Sequence, residues 1–286
     1  MLNDIYQALD PVAFWVGPFP IRWYAIAYLV GFLAVALILV RISRRWKVKM
    51  DADAVLTVLV CVMIGVLVGA RLGYCLFYGN GYYFQNPLEI LAISKGGMSF
   101  HGGLAGALIS GIVAAKVTGI PFLTLADLGA IAAPIGLFCG RCANFVNGEL
   151  WGAITDLPWG VVFGGTAGSL PRHPSQLYEA VLEGLLLFLL LYLLARKCPP
   201  RPRGTFLGVF LVWYAICRFA LEFVRQPDAQ LGYLWGGWLT MGQCLCVPLL
   251  IAGICLLIWV HHRKLPQVGL PERMDVNEES VDKPSS

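Results

Sequence analysis

A chain of 286 residues that is 58% hydrophobic and only 13% charged, with a mean hydropathy of +0.71, carries about half the charge of a typical soluble domain. It is read as an integral membrane protein of the all-α class, which excludes a large soluble core. The net charge of +4 adds little, because the basic residues form no stripe with interleaved aromatics of the kind that binds nucleic acid.

Taken in chain order, residues 1–20 hold Asp4 and Asp10 and no basic residue, unlike the positive opening of a signal peptide. The segment Met1 to Pro20 is expected to form a short helix on the membrane surface, ended by Pro18 and Pro20. Crossing about 30 Å of hydrocarbon takes roughly 20 apolar residues as helix. Seven stretches qualify, at 24–41, 53–75, 98–116, 121–139, 177–195, 204–224 and 237–260. The third and fourth are joined around Thr118 and Gly119 and are expected to form a hairpin. Segment 76–97 is rich in glycine and in aromatics (Tyr78, Tyr82, Tyr83, Phe84), which suits a bilayer interface. The longest non-spanning stretch, 140–176, contains Pro158, Pro171, Pro174 and a β-like run Trp159–Phe163, and is expected to build a small extracytoplasmic cap. Residues 1–264 form the expected membrane domain, and 265–286 a polar tail expected to be disordered. No internal repeat is visible.

Loop charges orient this bundle. Fourteen of the 21 lysines and arginines (Arg41, Arg44, Arg45, Lys47, Lys49, Lys116, Arg196, Lys197, Arg201, Arg203, Arg263, Lys264, Arg273 and Lys283) fall on one side if there are seven crossings. The positive-inside rule makes that side cytoplasmic, with the amino terminus outside. The other seven, Arg22, Arg71, Lys95, Arg141, Arg172, Arg218 and Arg225, lie outside or within the membrane and need another explanation. The nine cysteines, an odd count mostly inside spans, read as small apolar packing residues rather than a disulfide framework.

Three groups of residues carry chemistry. Tyr214, Arg218, Glu222 and Arg225 are spaced four, four and three apart in the sixth span, so they share one helical face. Neutralisation of Arg218 by Glu222 would explain part of this stripe. It leaves Arg225, Tyr214 and also Arg71, near the outer end of the second span, without a reason. Inward-facing arginines need an anion, and a pair of phosphate oxygens fits the guanidinium fork. The third span opens with His101 among Gly96, Gly97, Gly102 and Gly103. Those glycines let a substrate or another backbone approach, and histidine suits proton transfer near neutrality. The run from Gly140 to Gly152 holds Arg141, Asn144, Asn147 and Glu149. The first three share a face if the segment stays helical, making a donor-rich pocket for an oxyanion, with Glu149 orienting Arg141 or contacting substrate. Tyr24 is either an aromatic-belt anchor or part of the site. His173 to Glu179 leads into the fifth span and reads equally as part of the site or as an N-cap and interfacial anchor, with Ser175 as the N-cap and Glu179 an acid in the first turn. Histidines at 101, 173, 261 and 262 have no metal-ligand spacing, and no nucleotide-binding or nucleophile-elbow motif occurs.

At these residues the chain resembles the bacterial phosphatidylglycerol–prolipoprotein diacylglyceryl transferases. The resemblance rests on the 140–152 run, on His101-Gly102-Gly103, on His173-Pro174-Ser175-Gln176-Leu177-Tyr178-Glu179, on Arg225-Gln226-Pro227-Asp228 and on Met241-Gly242-Gln243. It extends over about residues 10–260. It implies an enzyme of the bacterial inner membrane, working near the outer leaflet. That enzyme moves the diacylglyceryl group of phosphatidylglycerol onto the lipobox cysteine of a prolipoprotein signal peptide, the first step of lipoprotein maturation, and releases glycerol phosphate. No cofactor or metal is implied. On this reading Arg141 and Arg218 hold the phosphate, His101 accepts a proton and Tyr24 assists. Arg71, Gly102, Gly103, Asn144, Asn147, Glu149, Tyr214, Glu222 and Arg225 shape the headgroup site. A lipid transporter or a lipid-binding scaffold would also use membrane arginines. The mass of a lipobox peptide after incubation discriminates among them.

Overall fold

The computed structural model describes residues 1–79, 81–93, 96–197, 200–226, 233–234 and 236–267, with only the backbone of Phe100 and His101. The chain opens with α1 (Leu2–Gln7), followed by an antiparallel hairpin of β1 (Val12–Val16) and β2 (Phe19–Arg22). This corrects the expected surface helix to Pro20. Gly17 takes φ 58, so Gly17-Pro18 makes a reversing turn, and the valines and aromatics before it favour extended chain. Among the described residues two short strands thus stand beside the helices.

The remaining elements are α2 (Trp23–Arg45), α3 (Ala52–Phe77), α4 (Tyr82–Gln85), α5 (Phe100–Thr118), α6 (Phe122–Asn147), α7 (Ser175–Glu179), α8 (Leu187–Ala195), α9 (Thr205–Leu221) and α10 (Met241–Arg263). A π-helical turn, Ala180–Leu186, joins α7 to α8 in one rod, Ser175–Ala195. Five rods (α2, α3, α6, Ser175–Ala195 and α10) are long and apolar enough to cross a membrane, while α5 and α9 are shorter apolar helices. Each begins within four residues of its sequence expectation. Helix α6 runs on to Asn147, past the expected end at 139, and so keeps Arg141, Asn144 and Asn147 on a helix.

Helix α6 is the hub, packing on α2, the Ser175–Ala195 rod and α9, while α9 pairs with α10. Leu128 and Ile131 of α6 meet Ile42, Trp46, Leu187, Leu191 and Phe206 in the buried core. Gly119 turns the chain between α5 and α6 with φ 69, but the expected hairpin does not become a packed pair. The principal partner of α5 is α3. Gly65, Gly69 and Gly73 face Gly102 and Gly106, and a Cβ on Gly102 or Gly106 would overlap the carbonyls of Gly69 and Gly65. Such small-residue spacing lets helix backbones touch where lipid provides no hydrophobic drive.

A buried carboxylate organises the far end. Asp127 of α6 accepts hydrogen bonds from Gly204 N at 2.7 Å, Leu207 N at 2.8 Å and Gln267 Nε2 at 2.6 Å. It thereby satisfies amides at the start of α9 that have no partner within their own helix. Gln267 is 1% exposed, so residues 265–267 belong to the folded body, not to a disordered tail. Residues 268–286 lie outside the described residues.

Candidate active site

The site is organised around Glu179, at the end of α7 and fully buried. Its Oε2 lies 2.6 Å from Arg141 Nε, an ion pair without hydrogen-bond alignment. Its Oε1 accepts from Arg218 Nη1 at 3.2 Å and Arg225 Nη1 at 3.0 Å. Arg218 Nη2 also reaches Glu222 Oε1 at 2.7 Å, and Arg225 Nε lies 3.6 Å from the same oxygen. Three guanidiniums from α6, α9 and the turn after it thus share two carboxylates. Among the described residues the terminal nitrogens of Arg141 have no protein acceptor, so its fork is unspent.

Helix α10 fixes the second carboxylate. Thr240 and Gln243 form a capping box at its start, and Thr240 Oγ1 donates to Glu222 Oε2 at 2.7 Å. Gly242, between the two, must be small, because a Cβ there would sit 2.6 Å from Glu222 Cδ. This accounts for Met241-Gly242-Gln243, which the sequence offers only as a motif.

Beside the ion pairs stands Glu183, one turn beyond Glu179 on the π-helical segment. It is fully buried, and neither side-chain oxygen has a hydrogen-bond partner. Glu179 and Glu183 were missed as site residues by the sequence reading, which took Glu179 as a first-turn acid. Two carboxylates four apart in an apolar run are the signal that could have found them. Tyr214, one turn before Arg218, stacks on Phe210 with centroids 5.8 Å apart.

The 140–152 run closes the site from above. Asn144 Nδ2 and Asn147 Nδ2 donate to Glu149 at 3.3 and 3.4 Å. Glu149 therefore binds the two amides, and Arg141 is oriented by Glu179 instead. Gln176 Nε2 donates to Glu149 O at 2.6 Å and Ser175 Oγ to Leu150 O at 3.1 Å. Ser175 is thus tied to this run and does not cap α7. Gly152 N donates to His173 O at 2.9 Å, and Ala153 N to Val224 O at 3.0 Å. A Cβ on Gly152 would meet both neighbouring chains, at 2.5 Å from Val224 O and 2.7 Å from His173 Cβ. Partial burial lowers the pKa of His173, because desolvation disfavours the charged ring. The expected β-run Trp159–Phe163 reduces to one bridge, Val161 with Arg172. Arg172 lies over the Trp151 ring at 4.1 Å. Gln7 and Asn3 of α1 bond to Val162, and Tyr6 packs on Phe145 and Phe163.

Tyr24 opens α2 with its hydroxyl 3.0 Å from that of Tyr28, and it lies within electrostatic range of Arg141 and Glu149. Arg71 does not join the cluster. Its nitrogens donate to the carbonyls of Glu89, Ile90, Ala92, Gly96 and Gly97, with Tyr83 beneath. It holds the segment after α3. Gly102 is likewise occupied by α3. Gly103 makes ordinary contact with Ala70 and Val66. His101 lies in the first turn of α5, and its side chain lies outside the described residues, as do Pro227 and Asp228.

These features define a helical membrane protein that encloses a cluster of arginines and carboxylates. Residues 11–259 match the family described as prolipoprotein diacylglyceryl transferase. The chain is 48% identical over 262 residues to the phosphatidylglycerol–prolipoprotein diacylglyceryl transferase of Pseudomonas aeruginosa strain UCBPP-PA14, covering 92% of this chain and 97% of that one. It is 47% identical over 260 residues to the protein of that name from Geobacter sulfurreducens, with 91% and 98% covered. It is also 48% identical over 255 residues to that of Oleidesulfovibrio alaskensis, with 88% and 93% covered. The chain belongs to this family.

Proposed function

We propose that this protein transfers the diacylglyceryl group of phosphatidylglycerol to the lipobox cysteine thiol of prolipoproteins, releasing glycerol phosphate. Family membership supports the reaction. The observation that carries the mechanism is the unspent fork of Arg141 beside two arginines already fixed by carboxylates.

The sulfur attacks the diacylglycerol carbon that bears the phosphate, that carbon–oxygen bond breaks, and the electron pair leaves with the glycerol phosphate. Negative charge grows on that phosphate, so guanidiniums held in place beforehand stabilise the transition state more than the bound lipid. Arg141 grips the phosphate through its terminal nitrogens. Arg218 and Arg225 raise the local positive charge, with Glu179 and Glu222 fixing where they stand. A free thiol is mostly protonated at neutral pH, and His101 is our choice for the group that takes its proton, with Tyr24 assisting. Seven crossings, an external amino terminus and the 148–174 segment as an extracytoplasmic cap complete the reading. They place the site where a translocated signal peptide arrives.

The test is purified protein with phosphatidylglycerol and a lipobox peptide. A diacylglyceryl mass increment on the peptide cysteine is expected. Lipid movement without that increment would support a transporter instead.

A further inference from the structure

At the opposite end of α2 a second basic cluster lines a cavity of about 690 Å³ between α2 and α8. Arg41, Arg44, Arg45 and Arg196 surround it, with Leu37 and Val40 as an apolar wall. Arg41 Nε donates to Tyr192 OH at 2.9 Å, and Arg45 Nε to Arg196 O at 2.6 Å, so two arginines are tethered across the gap. Among the described residues no carboxylate meets Arg41, Arg44 or Arg196. Arg41 lies 17 residues beyond Tyr24 on one unbroken helix, about 25 Å away at 1.5 Å per residue. The cavity is therefore separate from the Glu179 cluster.

Basic residues at helix ends orient a bundle and complement the helix dipole. Two helix carboxyl ends supply roughly half a negative charge each, which among the described residues leaves most of the charge of Arg41, Arg44 and Arg196 uncompensated. Orientation also requires neither a cavity nor tethers. Leu37 is 71% exposed and lies one turn before Arg41, so hydrocarbon surface adjoins the charge. A soluble anion matches the arginines alone. A phospholipid matches the arginines with its phosphate and the Leu37–Val40 wall with its acyl chains, and basic pockets between helices near a membrane surface suit such headgroups.

We propose that this cavity binds the phosphate headgroup of an anionic phospholipid, which bridges α2 and α8. The site does not depend on the transfer reaction. The test uses the full chain in uncharged detergent and compares phosphatidic acid, phosphatidylcholine of the same chains and inorganic phosphate. Phosphatidic acid is expected to raise Tm by roughly 5 °C at saturation, and the other two to leave it within about a degree. The double variant R41Q/R196Q should lose most of that rise while keeping its helical circular dichroism and its lipid-free Tm. If that variant does not fold, R44Q alone should at least halve the rise. No rise in the unaltered protein, or a full rise in the variants, overturns the proposal. An equal rise with inorganic phosphate overturns its assignment to lipid.

Discussion

Arg218 touches two carboxylates with two different nitrogens, Nη1 on Glu179 and Nη2 on Glu222. A lysine keeps the charge but cannot fork. Arg218→Lys should lower turnover at least about tenfold with helix content unchanged, and near-normal turnover would show that the fork is not needed. Glu183 makes the opposite case. Its buried oxygens accept no hydrogen bond, and its charge meets Arg218, Arg141 and Arg225 only through space, so an amide in its place breaks no bond. Glu183→Gln should change stability by less than about 1 kcal/mol, whereas Glu183→Lys, which adds a charge beside three arginines, should fail to fold. Thermal melting distinguishes the two. The spacing of Tyr214, Arg218 and Glu222 was legible because it follows one helix to its C-cap, where spacing is geometry, with Arg225 in the turn just beyond. Glu179 as the centre was not, because Arg218 lies 39 residues away from it in sequence and only tertiary packing joins them.

Helix starts were readable from apolar length, but the choice of partner was not. Thr118-Gly119 correctly marks a turn, yet α5 leaves its sequence neighbour for α3, because glycines on both let the backbones meet. Gly106→Val should therefore part α3 from α5 and lower Tm by several degrees, since its Cβ would strike the Gly65 carbonyl. Gly129→Ala on α6 has nothing within 4 Å of the added methyl and should hold or slightly raise Tm. Equal effects would refute the close-packing account. The amino-terminal hairpin was misread for a related reason. Proline was taken as a helix stop, whereas Gly17 in the left-handed region makes it part of a turn.

For the whole molecule, composition alone identified the membrane as its medium, while the attachment of the 148–174 segment to the chain beyond α9 depends on long-range bonds such as Ala153 N to Val224 O that no local pattern encodes. The charge distribution expects a carboxyl terminus in the cytoplasm, so a fluorescent reporter fused there should fluoresce and an export-dependent enzyme fused there should stay inactive. Reversal of both would invert the proposed orientation. The central claim is that the free fork of Arg141 holds the phosphate as charge develops on it, and kinetics of Arg141→Lys with phosphatidylglycerol and a lipobox peptide test it most directly. The account predicts that kcat and kcat/KM fall together by roughly 100-fold or more. An unchanged kcat would contradict it.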